Sequence, residues 1–255
     1  MIIGSLSKRR FVLKKHSGRS KGKVTVRHQG GRNKRFFREI DFNRHIKEGV
    51  QGTVVAIEVD PNRNARIALV HYTDGDKRYI IAPNGLKIGQ KVMASENASL
   101  EIGNATALSK IIIGTQIHNI EISPNKGGQI VRGAGSVAIL QGKEDYYVLV
   151  KMPSGEIKRF NPQSWASIGQ VGNIEVANQR IRKAGINIRR GIRPTVRGVA
   201  QDPHSHPHGG GEGRSGVGLK YPKTPWGKPA VGKTRRHGKY SDKLVVSGRK
   251  LGKHH

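Results

Sequence analysis

An all-β core between two basic arms is the fold class this sequence predicts, and three observations carry it. Charge is unevenly placed: residues 1–47 hold 15 Lys and Arg against 2 Asp and Glu, residues 180–255 hold 19 against 3, and residues 48–179 hold 13 against 12. The balanced middle alternates apolar and polar residues with period two, the mark of a half-buried strand, and turn clusters punctuate it. No segment sustains a helical period, the best helical candidate being the short stretch Val176–Arg182.

In chain order, Thr53–Val59 alternates and sets Val55, Ile57 and Val59 on one face. Asp60-Pro61-Asn62-Arg63-Asn64 is a turn, Ala65–Tyr72 a second strand, and Asp74-Gly75 a hairpin signal that returns Lys77–Ala82 as a third. Pro83-Asn84-Gly85 turns the chain before Leu86–Val92. A second unit then begins near Gly103-Asn104. In it Gln116–Ile122 alternates, Tyr146–Met152 and Glu156–Phe160 flank the turn Pro153-Ser154-Gly155, and Ser167–Gly172 closes the set. Each unit has the size of a small barrel, whose closure removes exposed strand edges. The tail is different: residues 185–255 carry 14 Gly, 6 Pro and 3 aromatics, too little apolar surface for a core, which predicts an extended segment ordered by a partner.

The net charge of +30 demands a polyanion, because the chain otherwise repels itself. The realistic polyanions are nucleic acid and an anionic membrane surface, and no apolar run approaches the roughly 18 residues of a membrane span. The absence of cysteine excludes disulfides, thiolate nucleophiles and Cys-based zinc sites. Residues 1–38 are basic and free of acid, a composition shared with organellar transit peptides, but Gly22, Gly30 and Gly31 interrupt any amphipathic helix there.

Several motifs have to be weighed against plainer readings. Gly227-Lys228-Pro229-Ala230-Val231-Gly232-Lys233-Thr234 matches the phosphate-loop pattern letter for letter, and Gly211-Glu212-Gly213-Arg214-Ser215-Gly216 matches G-x-G-x-x-G. Both patterns work only between a strand and a helix N-terminus, and neither has that context, so no nucleotide site is expected. His204, His206 and His208 recur at alternate positions, yet no acidic or Cys ligand stands at metal-binding spacing, and no metal is expected. His206 is the only candidate for acid–base catalysis, and nothing in the sequence supplies it with a partner. The bare backbone of Gly209, Gly210 and Gly211 suits close approach to phosphates and bases, with a flexible loop as the alternative. Arg63, Arg66 and Arg132 are the informative cations of the middle, suited to phosphate forks or stacking, with plain surface charge as the alternative for each.

The words Asp60-Pro61-Asn62-Arg63, Arg78-Tyr79-Ile80-Ile81-Ala82-Pro83, His118-Asn119-Ile120-Glu121, Lys126-Gly127-Gly128-Gln129 and Pro153-Ser154-Gly155-Glu156 occur in that order. So do Ile168–Asn173, Arg193–Ala200, His206–Arg214 and Pro225–Pro229. In them the sequence resembles the large-subunit ribosomal protein two family, over about Gly18 to Lys253. The resemblance implies a basic arm over 1–47, an oligonucleotide-binding-type barrel over 48–103, an SH3-like barrel over 104–179 and an extended RNA-binding tail over 180–255. It implies large-subunit ribosomal RNA as primary partner, with neighbouring ribosomal proteins and the small subunit at the interface. Support of the peptidyl-transferase region, with RNA as the catalyst and this protein not an enzyme, is implied too. No cofactor is expected beyond RNA-associated Mg, and neither a membrane nor a homo-oligomer.

Carried onto this chain, the expected RNA contacts are Arg27, His28, Lys34 and Arg35 in the first arm, and Arg63, Arg66, Arg78 and Arg132 in the middle. In the tail they are Arg193, Arg197, His206, His208, Gly209, Gly210, Gly211, Arg214, Trp226, Lys228, Lys233, Arg235 and Arg236. The Gly-Glu-Gly-Arg ending at 211–214 resembles bacterial or organellar members, which implies a bacterial cytoplasm or, alternatively, a mitochondrion or plastid. Three features depart from the family pattern: a short N-terminal arm, Gln29-Gly30-Gly31-Arg32-Asn33 where Arg-Gly-Gly-Gly-His is usual, and Ser205 where an acid usually precedes the histidine. The last removes a carboxylate partner for His206. The competing classes are a sequence-tolerant, chromatin-like nucleic-acid binder and a nucleotidase acting at Lys233.

Overall fold

The computed structural model describes residues 10–14, 16–231, 238 and 240–249. Those of 1–14, 34–180 and 243–250 form one compact unit, and those of 15–33 and 181–242 a second. The strands run in chain order as β1 (Arg10–Val12), β2 (Arg19–Ser20), β3 (Lys23–Val24), β4 (Phe36–Arg38), β5 (Gln51–Val59), β6 (Arg66–Tyr72), β7 (Lys77–Ile81) and β8 (Lys91–Met93). They continue as β9 (Ala105–Ala107), β10 (Gln116–His118), β11 (Ile120–Glu121), β12 (Gly128–Ile130), β13 (Ala138–Lys143), β14 (Val148–Lys151), β15 (Ile157–Phe160), β16 (Trp165–Ile168) and β17 (Val245–Ser247). One α-helix, α1 (Ala184–Arg190), is present among the described residues.

The first sheet of the first unit has the order β7-β6-β5-β8. Its hairpin β6–β7 closes where Asp74-Gly75 predicts, with Gly75 at φ +82 and its N–H donating to the Tyr72 carbonyl at 3.0 Å. Strand β5 does not keep Val55, Ile57 and Val59 on one face, as strict alternation would. Gly52 and Val54 are buried with Val55 exposed, and a bulge between Val54 and Ala56 then shifts the register, so Ile57 packs with Val54 and not on the face of Val55. Val54, Ala68, Val70, Tyr72, Ile80 and Val92 pack on one side of this sheet, and Ile40, Ile67, Leu69, Tyr79 and Val171 on the other. The strand expected over Leu86–Val92 is only β8, because Leu86–Gln90 is a turn with Gly89 at φ +87.

The second sheet has the order β17-β15-β14-β13-β10-β16-β9. Its core is Leu108, Ile111, Ile117, Ile120, Leu140, Val148, Val150 and Phe160. The expected strand Gln116–Ile122 is broken at Asn119, which sits at φ +49, into β10 and β11. The break turns Glu121 inward, where its carboxylate accepts the N–H groups of Asn125, Gly127 and Trp165 at 3.2, 2.9 and 3.1 Å. Bridges Ala94↔Ala105 and Pro83↔Val171 join the two sheets, so 48–103 and 104–179 share one compact body. This is an all-β core of the oligonucleotide-binding and SH3-like types.

Three expectations are corrected. Ser167–Gly172 is not the closing strand: β16 ends at Ile168, and Gly169 at φ +106 leads out of it. Val176–Arg182 is not the helix: Ile174–Asn178 is a short 3-10 turn, and the helix α1 follows it. The last stretch of the tail is not ordered by a partner alone, because β17 adds to the edge of β15 and Leu244 packs on the second core.

The second unit contains no buried apolar side chain among its described residues. It is tied by backbone instead. Gly30 N–H donates to the Gly191 carbonyl at 2.8 Å, Asn33 to Arg189 at 2.9 Å and Arg193 to His28 at 3.0 Å. Gly191 ends α1 at φ +88, and a Cβ there would stand 3.0 Å from both Arg32 Cβ and the Gly30 carbonyl, so this crossing requires glycine.

Candidate nucleic-acid interface

The first unit gathers two of the expected cations on one aromatic ring. The Arg132 guanidinium carbon lies 4.4 Å from the Phe42 centroid and that of Arg63 lies 5.7 Å from it. Phe42 is held from behind: its carbonyl accepts the Gly128 N–H at 2.8 Å and Asn119 Nδ2 at 3.5 Å. That approach explains Lys126-Gly127-Gly128-Gln129, since a Cβ on Gly128 would fall 2.1 Å from Asn119 Oδ1. Arg132 Nη1 also donates to the Gly128 carbonyl at 3.2 Å. Burial, and then the neighbouring Arg63 charge, pull the Arg132 pKa below its ordinary value. Two cations sharing a ring repel each other, and an incoming phosphate relieves that repulsion.

Buried Asp60 sets the other side of this pair. Its carboxylate takes Arg63 Nε at 2.7 Å and Arg38 Nη1 at 3.7 Å, while Arg38 Nε reaches Glu58 at 3.2 Å. Asp60 also accepts the Asn62 N–H at 3.1 Å, which fixes the turn that carries Arg63. Sequence reasoning missed Arg38 and Phe42, because their roles depend on contacts distant in the chain.

The remaining middle cations separate. Arg66 is exposed at the start of β6 and lines a cavity of about 590 Å³ with Asn84, Asn173 and Glu175. Arg78 is engaged within the protein, donating to Asp41 at 3.0 Å and Asp76 at 2.9 Å. These two pairs tie it into the fold of the first sheet. Arg35 Nη1 donates to the Pro61 carbonyl at 3.0 Å, and Lys34 is exposed.

In the second unit Arg27, Arg193, Arg197, Arg214 and Lys228 are exposed. His28 is exposed too, and its Nδ1 donates to the Pro194 carbonyl at 3.2 Å. His206 is buried at 7% exposure. Its Nδ1 accepts the His208 N–H at 3.0 Å, and His208 Nε2 accepts the Lys223 N–H at 2.8 Å. Both rings therefore serve as neutral acceptors. Burial first, then His208 and Arg27, lower the His206 pKa. Among the described residues no carboxylate bonds the His206 ring, and no group of three His, Asp or Glu is arranged to hold a metal.

The glycines beside it have reasons internal to the fold. A Cβ on Gly209 would stand 2.5 Å from the Asp202 carbonyl carbon and oxygen, so this position requires glycine. Gly210 and Gly211 adopt φ +94 and +88. Gly198 has the same constraint, a Cβ there falling 2.5 Å from His206 Cε1. Of the phosphate-loop pattern, Gly227–Val231 belongs to a turn with a single bridge, Lys223↔Pro229, and no strand precedes it. Lys233, Arg235 and Arg236 lie outside the described residues.

Two family models match this chain. The one described as Ribosomal Proteins L2, RNA binding N-terminal domain matches residues 8–94. The one described as Ribosomal Proteins L2, C-terminal domain matches residues 101–227.

Proposed function

The chain belongs to the ribosomal protein L2 family, a structural, RNA-binding constituent of the large ribosomal subunit, and within that role we propose how it engages ribosomal RNA. Arg63 and Arg132, stacked on Phe42, take backbone phosphates. The cationic second unit, which has no apolar core among its described residues, completes its fold against RNA. The single observation that carries this reading is the pair of guanidinium groups on Phe42, in which Asp60 pairs Arg63 while Arg132, among the described residues, meets only a carbonyl and a ring, an arrangement suited to a phosphate.

We further propose that the protein supports subunit association and the peptidyl-transferase region without catalysing a step, since among the described residues no carboxylate bonds the His206 ring. RNA is its principal partner, with neighbouring ribosomal proteins and the small subunit at the interface. It acts as a single copy and takes no cofactor of its own beyond Mg associated with RNA. Its compartment is the bacterial cytoplasm or an organelle with bacterial-type ribosomes. The test is a gel-shift titration with a large-subunit ribosomal RNA transcript. Arg132→Gln and Arg63→Gln should each weaken binding, and unchanged affinity in both would overturn the assignment of the stack.

A further inference from the structure

The second unit presents one large aromatic that its own fold leaves uncovered. Trp226 is 75% exposed and occupies the third position of a tight turn. There the Gly227 N–H donates to the Thr224 carbonyl at 2.9 Å and the Thr224 N–H to the Lys228 carbonyl at 2.7 Å. Pro225 pre-sets the second position of the turn, and Gly227 follows the indole at φ +78. The tip is stiff, so little conformational freedom is lost when something lands on the ring.

Two contacts aim the indole. Lys223, at the base of the turn, donates its N–H to His208 Nε2 at 2.8 Å, and the His208 and His206 rings lie 4.6 Å apart. The Arg27 guanidinium carbon stands 5.6 Å from the indole centroid, and Lys228 follows in the turn. A wide π surface set among cations matches a ligand that is aromatic and anionic at once. A purely apolar protein surface would have to bury those charges at a cost.

We infer that Trp226 is a stacking platform for an unpaired nucleobase of RNA, with Arg27 beside the indole and His208 as the positioning residue that fixes the turn. The inference rests on the RNA-binding reading above and names one contact within it. Stacking of a base on an aromatic residue is sequence-tolerant, and its loss costs on the order of tenfold in affinity.

The chain has two tryptophans, and Trp165 is buried at 8% exposure, so Trp165→Phe leaves Trp226 as the sole reporter. In that background, single-stranded oligoadenylate should quench the emission in a saturable way, and an abasic oligonucleotide of equal length should not. In the otherwise native chain, Trp226→Ala should weaken oligoadenylate binding about tenfold, and Trp226→Phe should recover most of it. His208→Ala should raise the quenching midpoint several-fold at unchanged melting temperature. His208→Gln, whose amide oxygen can accept the Lys223 N–H, should restore it. Equal quenching by the abasic strand, or Trp226→Ala binding like the parent, overturns the platform. A His208→Ala midpoint equal to the parent's overturns the positioning role. Failure of the ribosomal RNA transcript itself to bind would instead overturn the reading on which this rests.

Discussion

At the scale of the residue, cations of like appearance do different work, and the difference is measurable. Arg132 stacks on Phe42 with Arg63 beside it, whereas Arg78 is held between Asp41 and Asp76. Arg132→Gln should lower affinity for ribosomal RNA about tenfold and reduce the magnitude of the log–log salt slope by roughly 0.7–0.9 for each phosphate it no longer neutralises. Arg78→Gln should leave that slope unchanged and destabilise the fold by about 1–3 kcal/mol, because it strands the Asp41 carboxylate, 5% exposed. A titration and a denaturant melt of each variant separate the two roles. His118 is the clearest pH sensor: it is fully buried on β10, its Nδ1 donates to the Gly169 carbonyl at 2.9 Å, and burial lowers its pKa to about 4. The unfolded chain holds this proton below the ordinary value of 6.5, so it binds more protons than the native state between the two values. Stability from this site is complete above about pH 6.5 and is lost as pH falls toward 4, by about 3 kcal/mol. Denaturant melts between pH 7 and 4 should show that fall, and His118→Gln should flatten it. An unchanged slope in the variant would place the acid sensitivity elsewhere.

At the scale of the element, what was legible in the sequence is what local chemistry dictates. The hairpin at Asp74-Gly75 and the turn of Asp60–Asn64 follow from residues that are neighbours in the chain. The errors share a cause. A single inserted residue in β5 parts Ile57 from the face of Val55, and a left-handed Asn119 cuts one expected strand into two. β13 was not legible because Gly142 and a register shift between Leu140 and Gly142 break its alternation. β17 was hidden by its basic surroundings, since its partner β15 lies far back in the chain. The same distance hid Phe42, whose value lies in contacts with Arg63, Gly128 and Arg132. β17 gives a prediction of its own. A chain ending at 242 should lose the cover of the β15 edge and the partly buried Leu244, lowering stability by about 1–2 kcal/mol while unfolding stays cooperative. Thermal melting checks this, and an unaltered transition would mean that β17 contributes no stability.

At the scale of the whole molecule, the chain divides its labour between a unit with apolar cores and a unit whose described residues form none. Ile67, Ile80, Ile117, Leu140 and Phe160 account for the stability of the first, while backbone hydrogen bonds and glycine crossings tie the second. Amide exchange in the free protein should therefore be slow in β6, β13 and β14 and fast over 181–231, and ribosomal RNA should slow the latter. A tail already protected without RNA would contradict a fold completed by its partner. Engagement of ribosomal RNA is what the excess of 30 positive charges serves. Its most direct test is the affinity of the intact chain for a large-subunit ribosomal RNA transcript as a function of salt, measured with duplex DNA in excess. With about ten phosphates engaged, the log–log slope should be about −7 to −9, and binding should survive the DNA. A slope near zero, or complete displacement by the DNA, would contradict it.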